Sequence, residues 1–399
     1  MNIRINRSSR QCTVVLTLFL FCGICYAIAQ STDKLGIVIE RETGKVLLID
    51  IIQRVSIGEF EGLGDLSHAS AVFSRDERYA YVFGRDGGLT KLDLLSGGIA
   101  SRVRQAGNSI GGAISQNGRF VAASNYEPGG IRIFDADTLK LVADIPATYG
   151  SETDPQLSKV VGLVDAPDHR FIASLYDAGE IWVIDIHNPQ QPSIRKYYNV
   201  GTHPYDALIT PDGRYYIAGL YGENGLAVLD LHNPDAGVRR ILNNYGRGGK
   251  ELPVYKMPHL EGWALAGKHL FIPAIGHHAV HVIDVERWQE STRIKTLGQP
   301  VFAIARPDGL QVWVNYAMPD NNFIEVIDIL QMKVIKRLNP GKVVLHMEFT
   351  PGGEEVWVSV RDDDRVDIYD TGTFEKVASI SADKPSGIFF TARAHKIGL

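Results

Sequence analysis

The chain has 399 residues, 45% of them apolar, with 40 glycines and 18 prolines. Such a composition supports a large buried core and many short strands joined by tight turns. A formal charge of −5 argues against nucleic acid as a partner. All three cysteines, Cys12, Cys22 and Cys25, lie in the first 29 residues, so the remainder holds no thiol for a disulfide, a thiolate metal site or a nucleophile.

In chain order, Arg4, Arg7 and Arg10 make a basic start, an apolar run extends from Thr13 to Ala29, and Ala27-Ile28-Ala29 ends it with small residues. This is the pattern of a cleavable export signal over residues 1–29, with Gln30 as the expected mature start. The competing reading, a single membrane anchor, needs a longer apolar run. No stable membrane span is expected after processing, and loss of three arginines takes the charge from −5 to −8. Cys22-Gly23-Ile24-Cys25 is followed by Tyr26, where covalent haem attachment needs histidine.

From residue 30 onward an aspartate closes an apolar run at Asp50, Asp93, Asp135, Asp185, Asp230, Asp284, Asp328 and Asp370, at intervals of 43, 42, 50, 45, 54, 44 and 42 residues. That period suits a four-stranded propeller blade, so the expected fold is all-β: one eight-bladed β-propeller over residues 30–399. A flat sandwich array is the alternative. Turns such as Thr210-Pro211-Asp212-Gly213-Arg214 and Arg306-Pro307-Asp308-Gly309 join the first and second strand of each unit. Leu35–Ile39 and Lys45–Asp50 read as second and third strands with no first, while Pro385–Phe390 reads as a first strand with no successor. The C-terminal strand is therefore expected to complete the N-terminal blade, hiding two edges.

If the Pro/Asp/Gly turns share one face, the other face carries the unusual side chains: His68, Arg85, Asn108, His203, Tyr205, Asp206, His277, His278, Gln299, His346 and Arg361. A ligand site is expected there, at the mouth of the central channel. His68, His203 and His346 each begin an innermost strand and would converge on the axis, able to hold a metal or tetrapyrrole. Equally, each imidazole would pack against a neighbouring blade. His277, His278 and His281 form a second cluster, although adjacent strand residues face opposite sides. Arg85 is placed to clasp a ligand carboxylate, or else to brace its turn by pairing with Asp86. The insertion from Tyr245 to Glu261, with Arg247 and His259, has the makings of a lid.

Three segments carry a resemblance: Ser67-His68-Ala69-Ser70 with Gly84-Arg85-Asp86-Gly87-Gly88, Pro204-Tyr205-Asp206-Ala207, and Leu252–Trp263. With them the chain resembles the NirF family of haem d1 biosynthesis, itself similar to the haem d1 propeller of cytochrome cd1 nitrite reductase. The resemblance implies a periplasmic protein that binds haem d1 or its dihydro precursor and works beside nitrite reductase and other maturation proteins. It also implies that His68 is the axial iron ligand. Arg85, Asn108, His203, Arg247, His259 and Gln299 are then cofactor-binding candidates. Gln299-Pro300 stands where the reductase has a distal His-Pro pair, and no CxxCH segment precedes the propeller, so nitrite chemistry is not implied. The runner-up activity is an oxidoreductase converting dihydro-haem d1, for which His346, Tyr205, Asp206 and Glu261 are the candidate acids and bases.

Overall fold

The computed structural model describes residues 32–244, 263–274 and 277–398, all within one compact unit, Ser31–Leu399. Eight four-stranded antiparallel sheets follow one another along the chain, the blades of a β-propeller. Blade 1 consists of Leu35–Glu40, Lys45–Asp50 and Val55–Phe60, with Pro385–Phe390 as its innermost strand. Gly36 pairs with Phe390 and Val38 with Ile388, so the two ends of the chain close the ring in one sheet. The innermost strands of blades 2 to 8 are Ser70–Phe73, Asn108–Ile114, Val160–Ala166, Pro204–Ile209, Ala264–Ala266, Pro300–Ala305 and Val344–Phe349. The connection from blade 3 to blade 4 carries an extra exposed hairpin, Thr148–Ser151 paired with Asp154–Leu157.

The repeating aspartate has a structural cause. Asp50 accepts the amides of Ile52 and Gln53 at 2.9 and 2.8 Å, Asp284 those of Glu286 and Arg287, and Asp370 those of Gly372 and Thr373. The other five aspartates take amides of the same turn. Each carboxylate thus fastens the hairpin from third to fourth strand, which is why this residue recurs. Asp93 and Asp230 also meet Arg78 and Arg214, which hold both carboxyls below the ordinary range. The turn lies beside the first hairpin of its blade, since Leu94 donates to the Arg78 carbonyl at 2.9 Å and Ile186 to that of His169 at 2.8 Å. Both belong to one face, leaving the second-to-third-strand loops on the other.

The core runs between blades. Trp182, Trp313 and Trp357 are fully buried. Trp313 of blade 7 stands edge-on to Phe349 of blade 8, ring centres 6.0 Å apart, a favoured arrangement of aromatic quadrupoles. Among the described residues the helices are short 3-10 turns, and none is long and apolar enough to cross a membrane. After Phe390 the chain forms such a turn, Thr391–His395.

Candidate functional site

A cavity of about 500 Å³ occupies the channel beneath the second-to-third-strand loops, within the ~300–1,000 Å³ typical of small-molecule sites. Three innermost strands make room by placing glycine there: Gly111 in blade 3, Gly162 in blade 4 and Gly387 in blade 1. A β-carbon on Gly387 would meet the Phe389 ring, and Gly162 holds φ +57°, a conformation that favours glycine. Val161, Val301, Phe302, Val344 and Phe389 supply apolar wall.

His68 lines this cavity, half-buried, two residues before the inner strand of blade 2. The residue before it, Ser67, is held at both its backbone groups. The Arg41 guanidinium donates to the Ser67 carbonyl, and the Asp65 carboxylate accepts the Ser67 amide at 2.8 Å. Ser67, together with Arg85 and Arg41, keeps the Asp65 carboxyl below its usual range.

His346 reaches the cavity from blade 8, between Phe302 and Phe389. Its Nδ1 accepts the Ile388 amide at 3.2 Å, which assigns the ring proton to Nε2. Its remaining exposure is to the cavity, and burial pushes its pKa down to about 4. Protonating Nδ1 would set N–H against N–H. Nδ1 is thus already occupied, and the lowered pKa keeps the ring neutral with its proton on Nε2.

Three arginines ring the mouth. Arg41, Arg85 and Arg361 each follow the second strand of blades 1, 2 and 8, and all line the cavity. Asp86 pairs with Arg102 at 3.2 Å, so Arg85 does not brace its own turn. Arg361 meets Asp362 at 2.7 Å. Arg41 is half-buried, and desolvation, with repulsion from Arg361 and Arg85, lowers its pKa. Sequence reasoning missed Arg41 because blade 1 lacks the marker turn before it. The signal available was its position, immediately after a second strand, as Arg361 is.

Tyr205 of blade 5 also lines the cavity, its hydroxyl 2.7 Å from that of Tyr126 in blade 3, two blades away. Asp206 shares its strand, but its side chain lies outside what is described, as do Arg247, His259 and Glu261.

Three expected residues do not line the cavity. His203 stacks on Tyr176 with ring centres 4.3 Å apart, and its Nδ1 lies 3.1 Å from the Tyr176 carbonyl. It borders a separate polar pocket with Glu223 and Arg240. The three histidines consequently do not converge. Asn108 opens the blade 3 strand, but bulges at Asn108/Ser109 and Ser109/Gly111 present Ile110 and Gly111 to the cavity instead. Gln299 is buried, its carbonyl bonded to the Ala317 amide at 2.9 Å, and Val301 and Phe302 form the wall beyond it. His277 and His278 are exposed, whereas His281 is buried against Glu290 at 2.6 Å. Among the described residues no three His, Cys, Asp or Glu gather closely enough to hold a metal ion.

The profile of the cytochrome D1 heme domain family matches residues 30–394. The chain is 55% identical to Protein NirF of Pseudomonas aeruginosa over 386 residues, covering 97% of this chain and 98% of that one. It is a NirF-type member of the cytochrome d1 haem domain family. Protein NirF of Stutzerimonas stutzeri is 54% identical, with coverage of 94% and 97%. Among solved structures of this kind, dihydro-heme d1 dehydrogenase NirN in complex with DHE superimposes with a TM-score of 0.78 at 28% identity, over 91% of this chain and 76% of that one.

Proposed function

We propose that this protein binds haem d1 or its dihydro precursor in the channel, with His68 as the axial iron ligand, during maturation of the cofactor for nitrite reductase. The observation that carries this reading is the meeting of His68, apolar walls and three mouth arginines around one cavity. An imidazole at the wall, a fixed Nε2–H on His346 and guanidinium groups at the rim match an iron tetrapyrrole with peripheral carboxylates. Bound, that group would supply a coloured, redox-active centre. His68 would hold it and the arginines would orient it by its acids. Export to the periplasm with loss of residues 1–29 belongs to the same proposal, as do working contacts with nitrite reductase and other maturation proteins.

Titration of the purified chain with the tetrapyrrole, followed by absorption spectroscopy, tests binding. A spectral change that is lost in His68→Ala is expected; an unchanged spectrum, or full retention in His68→Ala, rejects the axial role. The second reading, an oxidoreductase acting on the dihydro precursor, is favoured by similarity to a protein named as that dehydrogenase and by Tyr205 at the cavity wall. Anaerobic incubation with the precursor separates the two: conversion supports the enzyme, and unaltered recovery supports the carrier.

A further inference from the structure

We propose that the C-terminal segment from Thr391 to Gly398 is a strap that crosses the channel, seals the end opposite the arginine mouth and leaves the cavity one entrance. The contacts require a crossing. Thr391 leaves blade 1 tied to the carbonyls of Thr32 and Leu35 at 2.7 and 3.0 Å. At its far end the Gly398 amide donates to Asp165 of the blade 4 inner strand at 2.8 Å. Ile397 packs on a cluster containing Val164 and Ile209, from the inner strands of blades 4 and 5. In a ring of eight, blade 5 stands opposite blade 1, so a segment that touches both spans the axis.

Its partners also fix which face it covers. Arg75 and Glu77 lie in the first hairpin turn of blade 2, on the aspartate face. Glu77 takes His395 at 2.7 Å. Arg75 donates to the Ala394 carbonyl, to the carbonyls of Ile114 and Ser115 at 3.0 Å each, and to Asp165 at 3.3 Å. This one guanidinium therefore joins blades 2, 3 and 4 to the strap. From blade 8, Glu348 meets Arg393 at 3.3 Å, with both side chains buried. Glu348 lies two residues beyond His346 on one strand, yet it does not line the cavity. The strap closes over it from below.

The test uses the compact unit from Ser31, which contains no cysteine, carrying Glu348→Cys and treated with a small thiol reagent. This inference does not depend on the tetrapyrrole reading, since no ligand is added. In the full-length unit, labelling should be slower than at an exposed control cysteine on the order of 100-fold, as expected for a buried group reached by local opening. Ending the chain at Phe390 keeps the closing strand and should remove that protection, while circular dichroism shows the ring still folded. Arg75→Ala in the unshortened chain is the second arm, in case the shortened chain does not fold, and should speed labelling in the same direction. Equal labelling with and without the strap overturns the proposal. So does unfolding of both variants, because the segment would then be part of the ring's core and not a separable seal.

Discussion

Glu348 offers a stringent test of how the far end of the channel is built. Burial raises its carboxyl from 4.5 to about 8. A folded-state pKa above the unfolded one favours the protonated form, so its stability contribution is complete below about pH 4.5 and is lost as pH rises through about 8. At ~1.36 kcal/mol per pH unit, the interval sets a ceiling of about 5 kcal/mol. Arg393 at 3.3 Å and the neighbouring Lys396 favour the carboxylate and oppose the loss. We expect about 2 kcal/mol to disappear between pH 5 and 8. Glu348→Gln keeps the shape and cannot ionise. Urea denaturation of both proteins across that range should show the variant gaining on the parent by that amount as pH rises. Asp165, also raised by burial to about 6, titrates in both chains and cancels in the difference. Parallel stability profiles would refute a buried, protonated Glu348.

Arg85→Gln should weaken binding of a carboxylate-bearing tetrapyrrole about tenfold at low salt, with the deficit shrinking as salt rises; titrations at two ionic strengths check this, and a salt-independent loss contradicts it. His346→Leu leaves the Ile388 amide without its 3.2 Å acceptor and should cost about 1–3 kcal/mol in chemical denaturation, whereas an unchanged midpoint would refute the assigned tautomer. Trp313→Ala empties a fully buried site between blades 7 and 8 and should cost about 3–5 kcal/mol by the same assay.

Eight blades, the ring's closure and the face bearing the unusual side chains were all legible in the chain itself. The reason is local: each aspartate caps a hairpin within three residues of itself, so the pattern repeats wherever the hairpin does. Closure was legible because the first blade lacks one strand and the chain ends on one. Which face-bearing residues meet was another matter. His68 and His346 reach the same cavity while His203 turns aside to stack on Tyr176. Asn108 is displaced from the wall by two bulges. Arg41 joins Arg85 and Arg361 only because blades 8, 1 and 2 are neighbours in the ring. The crossing of the channel by the last residues had no local signature either, because partners such as Asp165 and Arg75 lie more than 200 residues away. Sequence alone determined the repeating unit and its count, since both rest on contacts a few residues apart. Tertiary structure decided the membership of the site and the sealing of the channel, because those depend on where strand bulges and ring closure carry side chains remote from one another along the chain.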